Sequence, residues 1–128
     1  MIKLNKYLKE IGIDENFWLF KDRAENNDDR YQEDEEGFCP AEMWNLDTTF
    51  AMYIYSHLCY FRDYCNHGYP GNMSEEQWDK CLNDMITGFR LLIQRDETEF
   101  GSIESKNREK KIKYGLRLFA KHFSALWD

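Results

Sequence analysis

The chain has 128 residues, 42% of them hydrophobic and 16% aromatic, a length that fits one domain around one core and a composition too rich in large apolar side chains for a disordered chain. With 24 acidic against 17 basic residues the formal charge is −7, so counterion release over the whole surface is no default source of affinity and free DNA or RNA is not an expected partner. No window approaches the ~18 uninterrupted apolar residues of a membrane span; the most apolar stretch, Phe50 to Phe61, carries Ser56 and His57.

Ile2, Leu4, Tyr7, Leu8 and Ile11 approximate a helical stripe with Gly12 as its stop, which predicts a short first helix over 1–12, about three turns long. The apolar quartet Phe17 to Phe20 follows, helical or irregular by its length. Between Asp22 and Glu36 eight carboxylates face only Arg23 and Arg30, and this predicts a solvated acidic loop near residues 22–37. Pro40 suits the first position of a short helical turn reaching Trp44.

Asn45 or Asp47 can cap a main helix over 45–66, in which Leu46, Phe50, Ile54, Leu58, Phe61 and Cys65 recur at helical spacing. Its end is marked by Asn66 to Asn72, where a glycine suits a left-handed C-terminal position and Pro70-Gly71 suit the centre of a type II turn. Ser74 and Gln77 form a capping-box pattern that opens a second main helix over 74–95, with Trp78, Leu82, Met85, Ile86, Phe89, Leu92 and Ile93 as its apolar stripe. A third, over 104–127, carries Ile112, Leu116, Phe119, Phe123 and Leu126. No stretch alternates with the period of a strand, so the predicted fold is all-α: a compact helical bundle of three to four main helices in a single domain, 1–128.

The start MIKLNKYLKEIG has no signal-peptide h-region, so Cys39, Cys59, Cys65 and Cys81 are expected as free thiols in a cytoplasm. Cys59, Cys65 and His67 with His57 are the one soft-ligand cluster, but no C-x-x-C occurs and Cys59 and Cys65 fall on different sides of a helix. No metal and no cofactor is expected. A phosphate loop, a dinucleotide fingerprint and a serine elbow are all missing from the sequence, and the reading is non-enzymatic. The candidate partner-binding residues are Asp28, Asp29, Glu33, Asp34, Glu35 and Glu36, whose charges could imitate phosphates in the basic groove of a nucleic-acid-binding protein. The last helix gathers Lys106, Arg108, Lys110, Lys111, Lys113 and Arg117 against Glu104 and Glu109, which reads first as an ordinary solvated face.

The order Trp44-Asn45-Leu46-Asp47, then Gly68-Tyr69-Pro70 through Glu76-Gln77-Trp78, resembles a family of small uncharacterised proteins encoded by tailed bacteriophages and prophages, over about 50 of the 128 residues. The resemblance implies a context and no chemistry: a phage product acting in the host bacterial cytoplasm. Trp44, Asp47, Tyr69, Pro70 and Trp78 carry the motifs and read as scaffold, although exposed Trp or Tyr would favour binding anchors. The expectation is a phage accessory protein that binds and modulates a host or defence protein, an anti-CRISPR or other anti-defence inhibitor among them. The alternatives are a phage structural or assembly protein that forms a homo-oligomer and, least favoured, a thiol- or metal-dependent hydrolase.

Overall fold

The computed structural model describes residues 2–25, 28–66, 68–94 and 101–127. Five α-helices run in chain order, α1 (Lys6–Glu10), α2 (Trp18–Glu25), α3 (Leu46–Tyr60), α4 (Glu75–Ile93) and α5 (Ile103–Lys121), and no strand occurs among the described residues. The all-α prediction holds. Two compact units divide the chain, Met1–Ser56 and His57–Asp128, and the boundary falls inside α3.

In the first unit α1 is shorter than predicted. Asn5 takes the cap position and its Oδ1 accepts from the backbone N–H groups of Tyr7 and Leu8, both at 3.1 Å, so residues 2–4 stay outside the helix. Gly12 follows with φ +91°, a left-handed conformation that a side chain would resist. Three of the quartet prove helical: Trp18, Leu19 and Phe20 open α2, with Leu19 and Phe20 buried, and Phe17 precedes the helix. The described part of the acidic segment carries more regular structure than predicted; residues 26 and 27 of the predicted loop lie outside the described residues. Helix α2 reaches Glu25, and Asp29–Tyr31 forms a 3-10 turn that buries the Tyr31 ring. A second 3-10 turn, Pro40–Met43, has Pro40 at its start and buries Ala41 and Glu42. Glu42 Oε1 accepts from the Ile2 backbone N–H at 2.8 Å, which gives a buried carboxylate a charge-assisted partner and ties down the start of the chain.

Helix α3 turns a different face inward from the one its spacing predicted. Ala51, Met52, Tyr55, Leu58 and Cys59 are buried, whereas Phe50 is 57% exposed and Leu46 also lies in solvent. The helix is apolar nearly all round, so periodicity alone does not choose an arc. Two polar residues on the inner arc disguise it further. Thr49 Oγ1 donates to the Glu42 carbonyl at 2.9 Å and Ser56 Oγ to the Met52 carbonyl at 2.8 Å, so both hydroxyls bury with their hydrogen bonds made.

In the second unit α3 passes into a π-helical turn, Phe61–Cys65. The closing turn differs from the prediction: Met73 N–H donates to the Pro70 carbonyl at 3.0 Å, which places Gly71 and Asn72 at its centre. Neither Gly68 nor Gly71 has a positive φ, so the left-handed cap and the type II turn are both absent. The Ser74–Gln77 capping box forms in both directions, at 2.8 and 3.1 Å. Trp78, Cys81, Leu82, Met85, Ile86 and Phe89 are buried along α4 as their spacing requires. Helix α5 ends at Lys121, short of the predicted 127, and a 3-10 turn Phe123–Ala125 follows.

The pairing of α4 with α5 rests on two glycines. A Cβ added to Gly115 would lie 2.8 Å from Gly88 Cα and 2.9 Å from the Asp84 carbonyl oxygen, closer than side chains tolerate. The inward arc of α5 is accordingly Ile112, Gly115 and the half-buried Phe119, whose ring meets Phe89 edge-on at 5.2 Å. Leu116 and Phe123, expected in the core, are exposed. An apolar-stripe reading overlooks a contact made by residues without side chains. Arg108 donates to the Gln94 carbonyl and satisfies one of the orphan acceptors at the end of α4.

Candidate protein-interaction surface

The six carboxylates picked from sequence divide into two kinds. Asp28 and Asp34 build the backbone they sit on. Asp28 Oδ1 accepts from the Arg30 backbone N–H at 2.9 Å, and both its oxygens receive the Arg30 guanidinium at 2.6 to 3.1 Å. These bonds, the side-chain pair first, hold the Asp28 carboxyl down at about 2, well below the ordinary 3.8. Asp34 Oδ1 accepts from the backbone N–H groups of Glu36 and Phe38, at 2.9 and 2.8 Å, while its own N–H donates to the Phe38 carbonyl. The tight loop closes over Gly37 at φ +94°. Asp29, Glu33, Glu35 and Glu36 are exposed on this frame.

Trp44 joins the acidic segment to the start of α3. Its ring stacks on Trp18 at 6.2 Å and meets Tyr31 edge-on at 5.5 Å, and the Arg30 guanidinium lies over it at 5.6 Å. Trp44 nevertheless remains 51% exposed. Phe38, Met43, Phe50 and Tyr53 are exposed in the same unit, so large apolar side chains accompany the carboxylates. This combination suits protein recognition, in which aromatic anchors supply most of the energy and charges set register and approach.

The remaining motif residues fall elsewhere. Asp47 lies in the first turn of α3, where its charge complements the positive end of the helix. Tyr69 is 55% exposed and Pro70 half-buried in the turn before α4. Trp78 is 1% exposed, its Nε1 donates to Asn66 Oδ1 at 3.0 Å and its ring meets His122 edge-on; it is a core residue. Sequence reasoning missed the cage around Trp44 and the structural duty of Asp34. The signals were present in the short Asp28-x-Arg30 and Asp34-x-x-Gly37 spacings.

Cys39, Cys59 and Cys81 are buried and Cys65 is half-buried, all four as free thiols. Burial pushes the Cys81 thiol upward, with Asp84 adding to the effect, so it is held away from the reactive thiolate. No group of three His, Cys, Asp or Glu residues among those described is placed to hold a metal ion; His67 lies outside the described residues. No described helix is long and apolar enough to cross a membrane. Neither a protein-family model, nor a curated protein, nor a solved structure matches this chain.

Proposed function

We propose that this protein is a non-enzymatic binding module, a phage accessory protein that engages a nucleic-acid-binding bacterial protein in the host cytoplasm and modulates it, in the manner of an anti-defence inhibitor. The observation that carries the reading is the first unit's surface: Asp29, Glu33, Glu35 and Glu36 exposed on a loop fixed by Asp28 and Asp34, beside the half-exposed Trp44. Residues 1–56 hold 13 acidic against 6 basic side chains, a balance of 6 − 13 = −7 equal to that of the whole chain. A basic nucleic-acid channel is the complementary surface, with an on-rate that falls as salt rises. The phage context rests on the sequence resemblance alone.

The test is affinity capture from bacterial lysate at low and high salt, with the wild type beside two variants. One reverses Asp29, Glu33, Glu35 and Glu36 to Lys and leaves Asp28 and Asp34 to hold the loop; the other is Trp44→Ala. The expected result is a salt-sensitive catch of one nucleic-acid-binding protein, lost in the charge-reversal variant and weakened in Trp44→Ala. Capture of the same partner by the charge-reversed protein would end the acidic-surface reading.

A further inference from the structure

The total of −7 conceals how the charge is distributed. Residues 57–128 hold 11 basic and 11 acidic side chains and are neutral as a unit, yet α5 within them carries 7 basic against 2 acidic residues, a balance of 7 − 2 = +5. Lys106, Lys110, Lys113, Arg117 and Lys121 follow at steps of four, three, four and four. At roughly 100° per residue these five fall within an arc of about 80° and extend over about 22 Å of helix. All five are exposed. The arc lies opposite Ile112 and Gly115, the buried residues through which α5 packs on α4. Among the described residues no ion pair or side-chain hydrogen bond engages any of the five.

Like charges at i, i+3 and i, i+4 on a helix repel, by about 0.2–0.5 kcal/mol for each neighbouring pair, and this row contains four such pairs against one acidic residue at that spacing, Glu109, three residues from Lys106 and four from Lys113. A solvated helix ordinarily alternates its signs, as Lys80 and Asp84 do on α4 at 2.8 Å. A row of cations in such excess is what a regular array of anions would stabilise. Protein interfaces are depleted of Lys, whereas a phosphate backbone needs only point charges at helix-turn spacing. Ile112, Gly115 and Phe119 of α5 are turned to α4, and the large apolar side chains left exposed on it, Ile103, Tyr114 and Leu116, are scattered along and around the helix and make no continuous apolar face to enter a lipid surface.

We infer that the exposed cationic row of α5, Lys106, Lys110, Lys113, Arg117 and Lys121, is a binding surface for the phosphate backbone of a nucleic acid. It reverses the expectation drawn from net charge, because counterion release depends on local charge density and the total enters only through long-range repulsion that salt screens. The row is made of four Lys and one Arg as point charges at helix-turn spacing, so the contact we infer is backbone-directed and sequence-independent.

The test is fluorescence anisotropy of the full chain with a labelled 20-base-pair DNA duplex and, separately, a 20-nucleotide single strand, titrated with salt, and with unlabelled polyglutamate as competitor. Binding is expected at low salt, with log K falling against log salt at a slope near −4.5 for duplex if all five contacts form, at about −0.9 per contact. Each Lys→Gln in the row is expected to lower that slope by about one, while Lys111→Gln, off the row, leaves it unchanged. The variant with all five changed to Gln should lose binding and keep its helical circular dichroism. Three results would overturn the inference: no binding at low salt, binding that survives the five-fold variant, or displacement by polyglutamate as effective as by DNA, which would make an acidic protein the partner. Reversal of Asp29, Glu33, Glu35 and Glu36 leaves this row intact, so failure here and failure of the acidic-surface reading are separately visible.

Discussion

Replacing Gly115 by alanine tests the contact on which the second unit is built. The new methyl carbon would sit 2.8 Å from Gly88 Cα and 2.9 Å from the Asp84 carbonyl oxygen, against the ~3.5–4.0 Å at which carbon atoms rest. Both obstacles are backbone, so no side-chain rotation relieves them and α4 and α5 must separate by somewhat under about 1 Å. Overpacking of this kind costs about 1–3 kcal/mol, and two rigid obstacles put this site at the upper end. Alanine returns about 1 kcal/mol of helix propensity. The net expectation is a loss of about 2 kcal/mol, read from urea unfolding followed by the emission of Trp78, which lies buried on α4. In the Gly88→Ala/Gly115→Ala double variant the second change should cost much less than it does alone, because the first has already parted the helices. Gly71→Ala, with nothing within 4 Å and no positive φ, should stay within ~0.5 kcal/mol of wild type. Equal or higher stability of Gly115→Ala would refute the close-contact argument.

Other expectations follow from single interactions. Asp28 has a folded pKa of about 2 against 3.8, so its hold on the 3-10 turn is complete above pH ~4 and is lost as pH falls toward 2; near-ultraviolet dichroism of the Trp18, Tyr31 and Trp44 cluster should change in that window and Asp28→Asn should abolish the step. Ser74→Ala removes the cap bond to Gln77 N–H and should destabilise by ~1 kcal/mol in chemical denaturation; an unchanged midpoint would mean the first turn of α4 frays regardless. Leu82→Ala, at a site with no exposure, should cost about 2–5 kcal/mol by the same assay. Asp34→Ala frees the N–H groups of Glu36 and Phe38 and should raise their amide exchange rates while leaving exchange in α4 untouched.

What the sequence made legible were the elements with one dominant signal. The capping box at Ser74 and the stripe from Trp78 to Phe89 define α4 almost completely, because the cap is local and one arc of the helix is apolar. Helix α3 could be located but not oriented: with apolar residues on nearly every side, the choice of inner arc passed to packing and to the hydroxyl bonds of Thr49 and Ser56. Helix α5 was misjudged for the opposite reason. Its central contact is a glycine, which contributes nothing to an apolar stripe and becomes visible only beside Gly88. The acidic segment was legible as charge, while its structure was marked only by the short Asp28-x-Arg30 and Asp34-x-x-Gly37 spacings, which a reading for charge passes over. Net charge proved the least informative quantity, because one sign dominates the first 56 residues and a cationic row occupies α5.

The loop between Asp34 and Phe38 has a consequence for how this segment tolerates change. A carboxylate that closes a loop through its own side chain is constrained by geometry, and one that only projects from the loop is constrained by its charge alone. Under selection for folding, Asp34 and Gly37 should therefore resist replacement even by Glu or Ala, because an extra methylene misplaces the acceptor and a Cβ strains a φ of +94°. Glu35 and Glu36 have no such burden and should exchange freely among polar residues in a saturation library sorted only for folded protein. Under selection for a partner, the same two positions would lose that freedom, and the difference between the two libraries would map the contact surface residue by residue.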